Sequence, residues 1–277
     1  MRLGRFTAAC AAAVVLFAAV LACTFPTDVV VRHVLARIGP PRSTTLVFQH
    51  AALRPWGLRL DQVALRDAEG GVLASADWVH LRPSLLGLAR DRTGRPLQAS
   101  ALACGGRVDA MLGVDSVLAL EWHDLDLGSC PLLSTHGALA GRADGTARLR
   151  LSLAGEPEGE GRVTVRGARM RLRRPRLPLD ELHVDPALVR WSLAAGRLSL
   201  GTIELQGPDV EATGNGTVRL AHPLGQSAID LHLTIVAGAH APPELLGLVG
   251  FLPPSGGGTD GRDLRVRGTV DEPRLGL

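Results

Sequence analysis

The chain has 277 residues, 46% of them hydrophobic, which is enough apolar material for one large domain or two small ones. Its formal net charge is +3, and all 30 basic residues are arginines interspersed with acidic residues. With nine aromatic residues and no tyrosine, the chain lacks the basic face with stacking aromatic side chains that nucleic-acid binding requires, so we expect no nucleic-acid partner.

The first predicted element is a membrane anchor. A short N-terminus, residues 1–5, carries Arg2 and Arg5, and an uncharged run of 20 residues, 6–25, follows it. As a helix with 1.5 Å rise per residue, the run spans about 30 Å, the thickness of one bilayer core. Because the first charge after the run is Asp28, we expect a cytoplasmic N-terminus and an exported remainder. The predicted anchor residues are Phe6, Val14, Val15, Leu16, Phe17, Val20, Leu21 and Phe25, with Pro26 and Asp28 at the membrane exit.

The end of this run can be interpreted in three ways. Val-Leu-Ala before Cys23 could direct lipidation of that cysteine, the alanine-rich run could be a cleaved signal peptide, or the run could remain as an anchor. Leu21 occupies the position two before Cys23, where a small residue is usual in a lipidation signal, so retention is favoured. All three interpretations place the bulk of the chain across the membrane.

Export determines how the four cysteines are interpreted. Cys10 and Cys23 lie inside the apolar run, so Cys104 and Cys130 are the pair left in the exported part. An oxidising compartment allows disulfides to persist, and we therefore predict a Cys104–Cys130 bond. The alternative is two small buried side chains that act as hydrophobic residues.

A short amphipathic helix is predicted in residues 26–42, directly after the anchor. Val30, Val34 and Ile38 recur every four residues until Gly39 and Pro40 end the pattern. This connecting helix either lies on the membrane surface or packs on the next domain.

Residues 43–277 are predicted to be a periplasmic β-domain, which could divide into two halves, 43–154 and 155–277. Apolar and polar residues alternate in segments such as ARLRLSL from Ala147 and AIDLHLTI from Ala228, as in half-buried strands. Glycine-rich turns separate these segments, and no long helical segments lie between them. An antiparallel meander is therefore expected.

Two local features interrupt the alternation. A template with a three-residue step between apolar positions recurs at Val163, Leu177 and Leu198, with a looser copy at Leu58, and it predicts a bulge or tight bend. Short helices are predicted in PSLLGLARD from Pro83 and in PPELLGLVGFLPP from Pro242. We expect the second helix to plug an open end of the sheet, with contact to a membrane or a partner as the alternative.

The sequence shows no catalytic motif, and we predict no catalytic, cofactor-binding or metal-binding residues. Glycine-rich stretches lack the helix and third glycine of a dinucleotide site, and the nine histidines are not at ligand spacing. Asp124 and Asp126 are expected on one face of a strand, where a solvated surface is favoured over an acid–base pair. The four tryptophans, Trp56, Trp78, Trp122 and Trp191, are interpreted as core anchors.

The order of these features resembles one known family. A basic N-terminus, one apolar span, the junction FPTD (Phe25 to Asp28), leucine-alternating strands and the ending LRVRGTVDEPRL are similar to the type II secretion system protein N (GspN) family. GLRLDQVAL, ADWVHLRPSLLGL and FLPP belong to the same resemblance. The closing GTVDEPR also resembles the ends of AsmA-like periplasmic proteins, whose sheets curl into grooves.

The resemblance implies a mostly β protein in which a single transmembrane helix precedes a curled antiparallel sheet with a few short helices. The sheet would be an AsmA-like groove or half-barrel. The implied location is the bacterial inner membrane, single pass, with most of the chain in the periplasm. Our first hypothesis is a non-catalytic scaffold that contacts other type II secretion subunits. The alternative is an AsmA-like protein that binds or transfers lipid in an apolar groove.

Overall fold

A computed structural model of the chain contains one 16-stranded antiparallel sheet. It describes residues 44–54, 57–67, 70–83, 97–113, 115–131, 138–151, 156–171, 182–221, 224–255 and 261–276. The strands are β1 (Thr44–Val47), β2 (His50–Arg54), β3 (Gly57–Asp67), β4 (Val72–Pro83), β5 (Leu97–Ala103), β6 (Gly106–Leu112), β7 (Val117–Asp126), β8 (Ala138–Arg150), β9 (Glu158–Arg171), β10 (Leu182–Val184), β11 (Ala187–Ala194), β12 (Arg197–Leu205), β13 (Val210–Arg219), β14 (Ala228–Ala237), β15 (Arg262–Thr269) and β16 (Pro273–Gly276).

The sheet is a meander that does not close. β1 and β2 lie end to end along β3, and β10 and β11 both pair with β9; elsewhere each strand pairs with the next one in sequence. β8 and β9 pair from Ala138↔Arg171 to Arg150↔Glu158, so the sheet continues across residues 151–157. The predicted antiparallel meander is confirmed, and the anchor (6–25) and connecting helix (26–42) lie outside the described residues.

The alternation in the sequence becomes two chemically different faces. In β8, Ala147 and Leu149 lie on one face, while Arg148 and Arg150 lie on the other. In β14, the apolar residues Ile229, Leu231, Leu233 and Ile235 likewise share one face. Because side chains of a strand point alternately to opposite sides, this pattern gives the sheet an apolar face and a polar face.

Two of the four predicted three-residue steps coincide with shifts in register, a third has an unusual backbone angle, and the step of the Leu177 copy lies outside the described residues. In the Leu198 copy, the register shifts between Leu200 and Ile203, as a bulge requires. In the Val163 copy, Gly167 has φ 59°, and the register between β8 and β9 shifts nearby. In the Leu58 copy, Gln62 has φ 53° between the buried residues Leu60 and Val63. Each step returns the next apolar residue to the apolar face, and bulges bend the strands that contain them.

One short helix packs on the sheet at the ends of β9–β14. This helix, α1 (Pro243–Gly250), places Leu245 and Val249 in a buried cluster with Ala187 and Val210. The expectation that this segment covers an end of the sheet is confirmed. PSLLGLARD lies outside the described residues, apart from Pro83.

A second buried cluster lies at the other end of the strand order. Phe48, between β1 and β2, packs with Ala51, Leu60 and Val63. All four side chains are less than 10% exposed. One buried cluster therefore lies at the β1–β3 edge of the sheet and the other along β9–β14, and β5–β8 lie between them.

Candidate functional site

The apolar face forms a continuous surface across the sheet. Directly opposed residues of neighbouring strands have side chains on the same face, so the register identifies rows that run across the strands. The central row has twelve members, from β3 to β15: Leu58, Leu81, Ala99, Ala110, Leu120, Ala147, Gly161, Trp191, Leu200, Gly216, Leu231 and Val266. Every member is apolar or glycine.

A second apolar row, the far row, runs along the strand ends away from α1. Its members are Leu97, Leu112, Leu118, Leu149, Gly159, Leu193, Leu198, Val218, Ile229, Gly268 and Pro273. A third row, the helix-side row, lies at the ends near α1. It contains Val63, Ala76, Ala103 and Gly106 in β3–β6, and Leu125, Ala143, Val165, Ala187, Leu205, Ala212 and Ile235 in β7–β14.

The apolar face is only half-buried over most of its width. In the central row, Ala147 is fully buried, and the other members keep part of their surface accessible. The interior of a two-layer sandwich would bury such residues almost completely, because a second sheet packs about 10 Å away. Among the described residues, the segments that pack against this face are α1 and the Phe48 segment. The face therefore has the chemistry of a core and the accessibility of a surface.

Two glycine–tryptophan pairs shape the middle of the face. A Cβ on Gly145 would lie 2.5 Å from Cζ2 of Trp122, and a Cβ on Gly161 would lie 2.5 Å from Cζ2 of Trp191. Both glycines lie directly opposite their tryptophans, so each indole ring covers the glycine of the neighbouring strand. A larger residue at either glycine would displace the ring. These pairs place two large aromatic surfaces within the apolar face.

The predicted role of the tryptophans holds for only part of the set, and Trp56 lies outside the described residues. Trp122 and Trp191 lie on the apolar face, half-buried rather than in a closed core. Trp78 lies on the polar face, opposite Asp61, with the guanidinium of Arg59 5.7 Å from its ring centroid. The prediction of a core anchor is wrong for Trp78, because the irregular pairing beside it reverses the side to which the alternation assigns it.

A cavity of about 550 Å³ is lined by residues of the polar face and by Leu120, Ala147, Gly161 and Trp191 of the central row. Arg162 and Arg190 lie directly opposite each other in its lining, and neither makes an ion pair with another described residue. Asp109 and Glu121 form the opposite part of the lining, where they already bind Arg107 and His123 at 2.7 and 3.2 Å. This face is suited to solvent, whereas the other face is suited to an apolar ligand.

A bulge in β7 organises an ion-pair network on the polar face. The register shifts between Trp122 and Leu125, where Asp124 has φ 53°. The backbone N–H of Asp124 donates to the Asp144 carboxylate at 3.0 Å. Arg166 donates to Asp144 at 2.6 Å and to Asp124 at 3.1 Å. The network joins β7, β8 and β9 at the point where the strand bends.

Asp124 and Asp126 both reach the polar face, where they have separate structural roles. Asp124 binds Arg166, whereas Asp126 accepts a hydrogen bond from the backbone N–H of Gly128 at 3.0 Å and caps the 3₁₀ turn Leu127–Ser129. Nothing in this arrangement couples the two carboxylates.

Acid is expected to weaken the fold through three aspartates. The pKa of Asp144 is lowered first by the Asp124 N–H and then by Arg166; the pKa of Asp109 is lowered by Arg107, and that of Asp230 by Arg265. A carboxyl whose folded pKa is depressed stabilises the fold above its unfolded pKa, near 3.8, and this contribution is lost as pH falls through the folded pKa. Urea midpoints should therefore fall below about pH 4. Asp144→Asn should reduce this dependence, and an unchanged acid profile in that variant would contradict the assignment.

The structure brings together the two cysteines that were predicted from the sequence to form a disulfide. Cys104 and Cys130 lie at disulfide distance, with Cα atoms 5.1 Å apart, which confirms the predicted pair. They join the β5–β6 turn to the segment after β7. The predicted anchor and exit residues and Cys23 lie outside the described residues.

Two further observations concern the predicted membrane and metal properties. Within the ranges that the structure describes, no helix is long and apolar enough to cross a bilayer. In those same ranges, no three His, Cys, Asp or Glu side chains converge as a metal site would require.

Sequence reasoning identified the strands and gave an apolar groove as an alternative, but it did not identify the rows of residues that form the apolar face. Alternation within one strand shows which residues share a face, but only pairing across strands shows that the apolar positions line up. The strict match of apolar residues at equivalent positions in consecutive strands was the signal that could have revealed it. Comparison of the chain with protein-family models, with characterised proteins and with solved structures gave no match.

Proposed function

We propose that this protein binds lipid acyl chains along its apolar face. The observation that carries the proposal is the continuity of the apolar rows together with their partial exposure. With strands about 4.8 Å apart, the central row spans roughly 50 Å. No charged side chain interrupts the row over this length, and its one polar side-chain group is the indole N–H of Trp191.

A lipid fits this surface better than a soluble partner does. Most protein interfaces mix apolar contacts with hydrogen bonds, about one for every 100–200 Å². The backbone groups of the central strands are already paired within the sheet, and the indole N–H of Trp191 is the one side-chain donor in the apolar rows. An acyl chain requires none, and it gains about 0.8 kcal/mol for each methylene that leaves water.

The cellular location that we propose follows from the resemblance of the sequence to the GspN and AsmA-like families. We propose a single-pass inner-membrane protein whose β-domain lies in the periplasm, with 6–25 as its anchor. The bulges at Gly201 and Asp124 would curl the sheet into the AsmA-like groove, because bulges bend strands and increase their twist. The groove would hold the acyl chains, and the polar face would remain in water.

A second candidate function is a non-catalytic scaffold in a type II secretion system. The observation that favours it is the open sheet, with β1 and β2 at one edge and the four-residue β16 at the other. An exposed strand edge can pair with a strand of another protein, and such pairing would contact other secretion subunits. This role and lipid binding use different parts of the sheet.

Mass spectrometry of the purified full-length chain would test lipid binding. We expect phospholipid to remain bound after mild detergent extraction. The variants Leu200→Gln and Leu231→Gln should weaken binding of a fluorescent phospholipid by about tenfold, which is 1.4 kcal/mol. The matched controls Thr202→Gln and His232→Gln change neighbouring residues on the polar face and should bind normally.

Two results would overturn the lipid proposal. One is equal binding by the apolar-face variants and their controls. The other is purified protein without lipid that retains secretion subunits after mild crosslinking, which would favour the scaffold.

A further inference from the structure

The two rims of the apolar face, formed by opposite ends of the strands, differ in burial. The helix-side row has five buried members: Val63, which belongs to the Phe48 cluster, and Gly106, Ala143, Ala187 and Ala212. The far row has no fully buried member among its residues. Burial of the apolar face therefore decreases from the helix side to the far side.

The helix-side rim is covered by its own core. Leu245, Val249 and Leu252 are each less than 10% exposed, and α1 packs against Ala187 and Val210. Arg262, which is opposite Ile235 at the end of this rim, donates to the Leu252 carbonyl at 3.3 Å. A lipid chain that approached β11–β13 from this rim would have to displace α1.

The far rim presents a line of exposed apolar side chains. Leu97 is 36% exposed, Leu151 42%, Leu220 41% and Val270 38%. Leu97 begins the far row, and the other three continue the alternation of Leu149, Val218 and Gly268 by one further step. These four residues, which we call the far-rim residues, are the outermost members of the apolar face. No polar position separates them from the far row on that face.

Three of the far-rim residues are fixed by backbone hydrogen bonds. The N–H of Leu151 donates to the Ser116 carbonyl at 2.9 Å, and the N–H of Leu220 donates to the Gly196 carbonyl at 2.9 Å. Val270 donates in the same way to Ser227 at 3.0 Å. Because each bond ties a strand end to an adjacent strand connection, the exposed side chains have defined positions. They are ordered apolar residues held toward the outside of the sheet.

Arginines lie next to two of the far-rim residues, Leu151 and Leu220. Arg219 precedes Leu220 and lies directly opposite Arg197, and neither arginine makes an ion pair with another described residue. Arg150 precedes Leu151 and lies opposite Glu158. Acidic residues also occur along the rim: Asp115, Glu156, Asp271 and Glu272. Glu156 lies beside Gly196, and Arg197 and Arg219, which make no ion pair with another described residue, are the basic groups of this rim available to anionic phosphates.

We propose that the far rim rests on a bilayer containing anionic phospholipid and is the route by which acyl chains reach the apolar face. This inference depends on the proposed lipid binding. The far-rim residues enter the hydrocarbon boundary, and Arg197 and Arg219 contact lipid phosphates. A chain then moves onto the far row without crossing a polar position. At the ends of β9–β14, the helix side remains covered by α1.

Photocrosslinking locates the rim that contacts lipid. The full-length chain is reconstituted into phosphatidylethanolamine vesicles with or without phosphatidylglycerol, with a photoreactive residue at Leu220 or at Phe251. Phe251 is the matched control because it is 83% exposed but follows α1 on the opposite rim. We expect crosslinks to phospholipid at position 220, increased by phosphatidylglycerol, and few at position 251. Crosslinks mainly at position 251 would overturn the inference.

Transfer kinetics test the route itself. The triple variant Leu151→Ser, Leu220→Ser and Val270→Ser should transfer fluorescent phospholipid between vesicles at least about tenfold more slowly, since three apolar contacts with the bilayer are lost. Its equilibrium binding of the same lipid in detergent should fall far less than its transfer rate, and a circular dichroism spectrum like that of the wild type would show that it folds. Phe251→Ser should leave both quantities unchanged.

The possible results separate this inference from the proposed function. A wild-type chain that binds no lipid at equilibrium contradicts lipid binding itself and therefore both proposals. Normal equilibrium binding with unchanged transfer in the triple variant contradicts the far-rim route alone.

Discussion

Leu245→Ala is expected to lower the free energy of unfolding by about 2–5 kcal/mol, the usual cost of truncating a buried leucine. Leu245 is 4% exposed and belongs to the cluster that joins α1 to the sheet. Its loss leaves a cavity and removes apolar contacts with β11 and β13. Urea unfolding of the full-length protein, followed by circular dichroism, measures the change.

The neighbouring Leu246 provides a matched control. It lies in the same helix but is 51% exposed, so Leu246→Ala should change the unfolding free energy by less than about 0.5 kcal/mol. Equal losses in the two variants would show that α1 does not pack on the sheet in the described orientation. A selective loss at Leu245 would support the closed state of the helix-side rim.

Replacement of both Cys104 and Cys130 by alanine is expected to cost about 3 kcal/mol, because the bond restricts the unfolded chain. The two residues are separated by 26 positions and link the β5–β6 turn to the chain after β7. The thermal midpoint of the oxidised wild-type protein should therefore exceed that of the double variant.

Reduction supplies the control for the disulfide prediction. Treatment with a thiol reductant should lower the midpoint of the wild-type protein and leave the midpoint of the double variant unchanged. Identical midpoints for oxidised and reduced wild-type protein would contradict a stabilising bond. The comparison also separates loss of the crosslink from the effect of the alanine side chains.

The sequence alone was sufficient to predict the strands in which apolar and polar residues alternate. The alternation of Ala147, Arg148, Leu149 and Arg150 predicts a strand with one apolar side, and β8 has these faces. The segment LSLGTIEL predicts an interruption in its middle, and the register shift after Leu200 provides it. Both features depend on neighbours within a few residues, so a single segment contains the necessary information.

The candidate site could not be predicted in the same way because it depends on pairing between distant segments. Gly161 and Trp191 are 30 positions apart, and their contact follows from the pairing of β9 with β11 around β10. The burial gradient between the rims depends on where α1 packs, which periodicity does not specify. For Trp78, irregular pairing reversed the side expected from its strand. The anchor and connecting helix stay predictions.

The placement of tryptophan gives the protein an optical reporter of its own. The chain contains four tryptophans and no tyrosine, so near-ultraviolet emission arises from indole. Trp122 and Trp191 cover Gly145 and Gly161 on the apolar face, whereas Trp78 lies on the opposite face beside Arg59. A bound acyl chain would remove water from the first two indoles and shift their fluorescence to shorter wavelength. Occupancy of the sheet can thus be followed without a label, and quenching by a brominated acyl chain would identify its path.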